Sequence, residues 1–206
     1  MLPEDQNLSP SCTNPQNETR EPAVAVAPVA PPAEPVRPNG LTLWLRDIVI
    51  AVAASVLIVL FLYQPVKVEG TSMLPRLEDR DRLFINKFVY HFEDIRRGDV
   101  VVFHYPRDPE KSYIKRVIAL PGDRLSIDRG QVWVNGKKVN ENYVPDEYRD
   151  SRSLAETVIP EDTYFMMGDH RSISSDSREF GPVDRELIYG KAVFVYWPTK
   201  DAGVVE

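Results

Sequence analysis

Hydrophobic positions along the chain fall into three regimes. Residues 1–40 hold scattered Leu, Val and Ala, no Phe, Trp or Tyr, and nine of the 18 prolines. From Pro22 to Pro38 the chain is mostly Pro, Ala and Val. Such a stretch cannot bury enough surface to offset its ordering entropy, so it reads as a disordered tail. Leu41–Tyr63 is then strongly apolar, and from Ile48 to Tyr63 it carries no charge and one polar side chain, Ser55. Those sixteen residues as helix cover about 24 Å, against a bilayer core of about 30 Å. Adding Leu41–Asp47 closes the gap if Arg46 reaches the headgroups and Trp44 sits at the interface. Pro65 and Lys67 close the far end.

No helical phase gives this segment a polar face, which argues against a core helix. The long leader before it, and the lack of an Ala-x-Ala site after it, argue against a cleaved export signal. The expectation is a single transmembrane anchor over residues 41–64. Flanking charge does not orient it, because Arg37 and Arg46 on one side balance Lys67 and Arg76 on the other.

Beyond the anchor the pattern becomes strand-like. Gly98–Tyr105, Ser112–Leu120 and Leu187–Trp197 are rich in β-branched and aromatic residues with turn residues between them. Asn135-Gly136, set between Val132–Val134 and Lys137–Val139, predicts a tight hairpin, and Asp128–Gly130 another turn just before it. No long helical period appears. The sequence therefore predicts a mainly antiparallel β domain over residues 65–206, large enough to bury a core, behind one N-terminal helix.

Composition removes some functions. A net charge of −6 without a basic run gives no electrostatic reason to bind nucleic acid. The only cysteine, Cys12, lies in the tail, so neither a disulfide framework nor a thiolate metal site is available. His91, His104 and His170 lack zinc-ligand spacing. No metal or organic cofactor is expected.

Three segments carry candidate chemistry. Gly70-Thr-Ser-Met-Leu-Pro75 places Ser72 in a turn just after the anchor. In Tyr113–Asp123, strand alternation puts Lys115 on one face with Tyr113, Val117 and Ala119. Burial there lowers an amine's pKa and makes it a general base able to take a serine proton; a lysine snorkelling from an edge strand is the alternative. Met167–Arg178 is dense in hydroxyls and paired charges. It is either a solvated loop or an ordered one that orients catalytic groups.

Anchor, GTSMLP, GDVVVF, YIKRVIALPGD and GDHRSISSDSREFG follow one another in an order that closely resembles the bacterial type I signal peptidases, from about Leu41 to Trp197. The resemblance implies a serine endopeptidase with Ser72 as nucleophile and Lys115 as general base. It further implies that Ser174 hydrogen-bonds the lysine, that Asp169 pairs with Arg116 and Asp176 with Arg178, and that the Ser72 N–H forms part of an oxyanion hole. Met73, Leu77, Tyr113 and Ile114 match positions that line a pocket for small residues, so cleavage after Ala-x-Ala-like signal-peptide ends is implied. So are a cytoplasmic tail, a single pass through the cytoplasmic membrane and an extracytoplasmic catalytic domain.

The chain departs from the pattern at four positions. Gly70 stands where many relatives have a serine that completes the oxyanion hole, leaving the second donor unassigned. Arg76 replaces a common threonine, Ala119 a glycine and His170 an asparagine.

Rival readings use other residues. A Ser–His–Asp hydrolase would pair Ser72 with His104 or His170, but no G-x-S-x-G elbow is present. Ser112-Tyr-Ile-Lys115 formally reads S-x-x-K, yet on a strand those two side chains point to opposite faces. A non-catalytic membrane-anchored binding domain would not need Ser72 or Lys115. A soluble self-cleaving repressor with a Ser–Lys pair fits poorly with an anchor and no DNA-binding segment.

Overall fold

The structure, a computed structural model, describes residues 40–205. The expected tail over residues 1–40 lies outside them except for Gly40. Helix α1 (Gly40–Leu62) covers the apolar stretch. None of the side chains of its Gly40–Val59 portion is buried, and it is long and apolar enough to cross a membrane. Extended chain begins at β1 (Tyr63–Lys67), so the expected boundary at 64/65 falls inside a strand. Pro65 is tolerated there because β1 is an edge strand, paired only with β2 (Arg82–Asn86).

The strands that follow are β3 (Val100–Tyr105), β4 (Asp108–Ala119), β5 (Arg124–Asp128), β6 (Gln131–Val134), β7 (Lys137–Lys138), β8 (Leu154–Val158) and β9 (Thr163–Met167). After the one-turn helix α2 (Ser177–Phe180) come β10 (Val183–Asp184), β11 (Ile188–Trp197) and β12 (Gly203–Val204). Every pairing among them is antiparallel. The larger sheet has the order β1-β2-β11-β3-β4-β9-β10, with β12 added on β11, and the smaller one is β7-β6-β5-β8. The fold is thus mainly β with one N-terminal apolar helix.

Local chemistry explains the turns. Asn135 and Gly136 take φ of 52° and 74° between β6 and β7, the double left-handed conformation of a type I′ hairpin, which Asn-Gly adopts most readily. The Val100–Phe103 run forms a strand buried on both faces. Val100 and Val102 join Leu83, Ile85, Ala192 and Val195 in one core. Val101 and Phe103 point the other way, into a second core with Val117, Met166 and Ile188. A third core lies between the end of β4 and the smaller sheet, around Ile118, Leu125, Val132 and Phe165.

The alternation expected along β4 holds only in part. Tyr113 packs against the core that contains Val117, but the β4–β9 ladder shifts register between Val117 and Ala119. The shift turns Ala119 into the third core, beside Ile118.

Candidate active site

Ser72 sits just before a tight turn closed by the Leu77 N–H donating to the Met73 carbonyl at 2.9 Å. Met73 and Leu77 are fully buried beneath that turn, in the first core with Val68 and Val102. Burial of these two apolar side chains fixes where the serine emerges. Both anchor the turn from below, directly beside the serine.

That cleft has a volume of about 700 Å³ and runs between Val66–Ser72 on one side and Lys111–Lys115 on the other, with Val102, Ser175 and Tyr189 completing its wall. Tyr113 and Ile114 both line it. Two strand edges are open there. β1 pairs on one side only, and residues 112–115 of β4 pair with β3 but not with β9, whose ladder starts at Arg116. An extended peptide entering this space meets unpaired backbone groups.

Lys115 Nζ lies 2.6 Å from Ser72 Oγ and 3.0 Å from the Ile114 carbonyl oxygen, which accepts one of its protons. The residue is 4% exposed, and its nitrogen stands 5.2 Å from the Tyr113 ring centre. Burial pushes the amine down to about 8, against the pull of the Asp176 and Asp169 charges, which raise it. An amine titrating there is neutral in a large fraction of molecules near pH 8, and its free lone pair is within reach of the serine proton.

The polar loop after β9 is buried rather than solvated. Arg116 holds Asp169 through two hydrogen bonds, at 2.9 and 2.7 Å, with both side chains nearly inaccessible. Arg178 holds Asp176 at 2.8 and 2.7 Å, and Asp176 also accepts from the Gly168 N–H at 3.0 Å. Burial acts to raise the Asp176 pKa, but the Arg178 guanidinium, the Gly168 amide and the nearby Ser174 hydroxyl outweigh it and hold the carboxyl below the usual range. The hydrogen bond expected between Ser174 and Lys115 is not made. Ser174 Oγ is buried and has no hydrogen-bond partner of good geometry.

Residues 41–197 match the family model described as signal peptidase, peptidase S26. Signal peptidase I of Bacillus licheniformis is 38% identical over 171 residues, spanning 78% of this chain and 90% of its own. That of Bacillus amyloliquefaciens is 39% identical over 164 residues, 75% of this chain and 87% of its own. That of Leptolyngbya laminosa is 34% identical over 198 residues, 91% and 95% of the two chains. A solved signal peptidase I from Enterococcus faecalis aligns with 48% of this chain and 97% of its own, at 29% identity and a TM-score of 0.42. The chain belongs to the signal peptidase family.

Several residues of this peptidase's site escaped the sequence reading. Gly168 is one: a Cβ there would run into the Ser72 carbonyl and Ser174 Oγ, so only glycine lets the loop lie against the serine turn. Arg171 donates to the Gly168 carbonyl at 3.0 Å and pairs with Glu141 at 2.6 Å, both side chains buried. Asp150 bridges Arg178 and Arg152, at 2.7 and 2.6 Å. The glycine in the GDHR segment was a visible signal for the first of these. Glu141 and Asp150 come from a distant, irregular segment and carry no local signal. Among the described residues no His/Cys/Asp/Glu group has the spacing to hold a metal ion.

The histidine rivals lack the geometry. His104 Nδ1 faces the Pro109 carbonyl at 2.9 Å, and His170 Nδ1 faces the Thr71 carbonyl at 3.3 Å; neither ring contacts Ser72 Oγ. Ser112 and Lys115 both lie on β4, where their spacing of three puts them on opposite faces.

Proposed function

We propose that this peptidase is a membrane-anchored serine endopeptidase that cuts N-terminal signal peptides from exported preproteins, with Ser72 as nucleophile and neutral Lys115 as general base. The observation that carries the reading is the 2.6 Å contact between Ser72 Oγ and a lysine amine buried enough to titrate near 8. As Oγ attacks the scissile carbonyl carbon, Lys115 takes the hydroxyl proton. The carbonyl oxygen gains the negative charge, and the Ser72 N–H is one donor to it. Collapse expels the new N-terminus of the mature chain as an amine, which receives the proton from Lys115. Water then attacks the acyl-enzyme by the same route, and the signal peptide leaves with a carboxylate.

Substrate is read by the cleft. Its open β1 and β4 edges suit an extended segment bound by backbone hydrogen bonds. Val66, Val68, Val102 and Ile114 give the cleft an apolar wall, which suits the small apolar side chains of Ala-x-Ala sites. Helix α1 supplies the anchor, with the tail on the cytoplasmic side and the β domain outside the cytoplasmic membrane. Anchoring confines enzyme and preprotein to one surface and raises their effective concentration.

Cleavage of a preprotein bearing an Ala-x-Ala site, in detergent or lipid, tests the reading. Wild type cuts it, Ser72→Ala and Lys115→Ala fall to background, and His170→Ala stays well above both. Full activity in Lys115→Ala would sink the mechanism.

A further inference from the structure

His170 plays no part in the proton transfers, yet it touches the serine turn twice. Its backbone N–H donates to the Ser72 carbonyl at 3.1 Å, and its ring Nδ1 lies 3.3 Å from the Thr71 carbonyl oxygen. A carbonyl only accepts, so this second contact requires the proton on Nδ1. The ring is braced edge-on by Tyr148, with centroids 4.4 Å apart and planes at 62°. The His170 carbonyl is tied back by the Ser174 N–H at 3.1 Å.

The Thr71 carbonyl and the Ser72 N–H belong to one peptide unit, planar, with the two groups pointing in opposite directions. A donor fixed on that carbonyl sets the direction of that N–H. It also polarises the amide, which strengthens what the N–H gives to an acceptor on its far side. We infer that His170 is a positioning residue for the oxyanion site: its Nδ1–H, held by Tyr148, fixes the Thr71–Ser72 peptide plane so that the Ser72 N–H meets the charge developing on the scissile carbonyl. The inference rests on Ser72 being the nucleophile. It gives the imidazole a role distinct from that of a base, since the proton it presents is never transferred. Because the contact matters most when the oxygen is negatively charged, its loss lowers kcat and leaves KM unchanged.

The test uses the full chain in detergent, with a preprotein substrate, and compares His170→Ala, His170→Gln and His170→Asn with Ser72→Ala and Lys115→Ala. Asparagine carries an amide N–H at about the reach of Nδ1; glutamine places it near Nε2. His170→Asn keeps near-wild-type kcat. His170→Ala and His170→Gln lose kcat by about fivefold, the worth of one hydrogen bond, with KM and melting temperature unchanged. Equal kcat in wild type and His170→Ala overturns the inference, as does an Asn variant no better than Ala. A change confined to KM overturns it too, as does a loss of kcat that follows a fall in melting temperature. If His170→Ala drops to the level of Ser72→Ala, the ring is a base and not a positioning group. Activity surviving in Ser72→Ala or Lys115→Ala removes the dyad itself, whatever the His170 variants do.

Discussion

Replacing Lys115 with methionine keeps the chain length close and deletes the amine, so it measures what burying that amine costs. In the folded chain the group titrates at about 8, and in the unfolded chain near the ordinary 10.5. The sign follows from proton counting. Between those two values the unfolded chain holds a proton that the folded chain has released, so wild-type stability rises with pH across that window. Below pH 8 both states are protonated, and the folded one carries the full penalty, about 3 kcal/mol. The substitution also removes hydrogen bonds to Ser72 Oγ and the Ile114 carbonyl, worth about 1 kcal/mol each. Lys115→Met is therefore the more stable protein at pH 7, by about 1 kcal/mol after those losses. The advantage shrinks as pH rises past 8 and reverses at about pH 9, where wild type has regained about 1 kcal/mol. Denaturant unfolding of the full chain in detergent, followed through Trp133 and Trp197 emission at a series of pH values, reads the difference directly. The lost hydrogen bonds are the same at every pH and cancel from the trend. A wild-type-minus-variant difference that stays flat between pH 7 and 10.5 would show an amine with ordinary titration, and burial would no longer explain a neutral base.

Other perturbations separate the supporting parts. Gly168→Ala forces a methyl against the Ser72 carbonyl and Ser174 Oγ; a displaced serine turn lowers kcat by about 100-fold, measured by preprotein cleavage at a temperature where circular dichroism shows the fold intact. Asp169→Asn leaves the Arg116 guanidinium buried without its counter-charge and costs about 3–5 kcal/mol, read as a fall in melting temperature. In Asp176→Asn a charge that raises the Lys115 pKa is gone, so the acid limb of the kcat/KM profile moves to lower pH even as total activity drops. The Asp176 carboxyl is held below its usual range, so its contribution to stability is present at neutral pH and is lost as pH falls through its folded-state pKa. Acid unfolding of Asp176→Asn is correspondingly less steep than that of wild type.

What could be read from the sequence was what depends on neighbours along the chain. Alternation and β-branching located β3, β4 and β11, and Asn135-Gly136 located a turn whose geometry those two residues favour. An uninterrupted apolar run located α1. Strands such as β8, with Leu154 half-buried and the other four residues exposed, are held by the ladder to β5 rather than by a pattern of their own. The separation between Ser72 and Lys115 is 43 residues, and no local rule brings them within 2.6 Å; only the ordered set of motifs suggested it. The same limit explains Glu141 and Asp150. Their pairing with Arg171 and Arg178 is a property of loops crossing in space, and in sequence each is one acid among many.

The buried ion pairs do more than stiffen the loop. Asp169 and Asp176 both act to raise the Lys115 pKa, opposing the burial that lowers it. An unpaired carboxylate at either place would pull the amine further toward its ordinary value and shrink its neutral fraction near pH 8. Arg116 and Arg178 face those carboxylates at 2.7 Å, and as positive charges beside them they act in the opposite direction on a neighbouring amine. The amine titrates near 8 because burial outweighs the pull of the two acids. Mechanical order and base strength at this site have the same origin. A substitution of either arginine would loosen the loop and raise the amine's pKa together, so its activity loss would be partly recovered at higher pH, whereas the loss from a misplaced Ser72 would not.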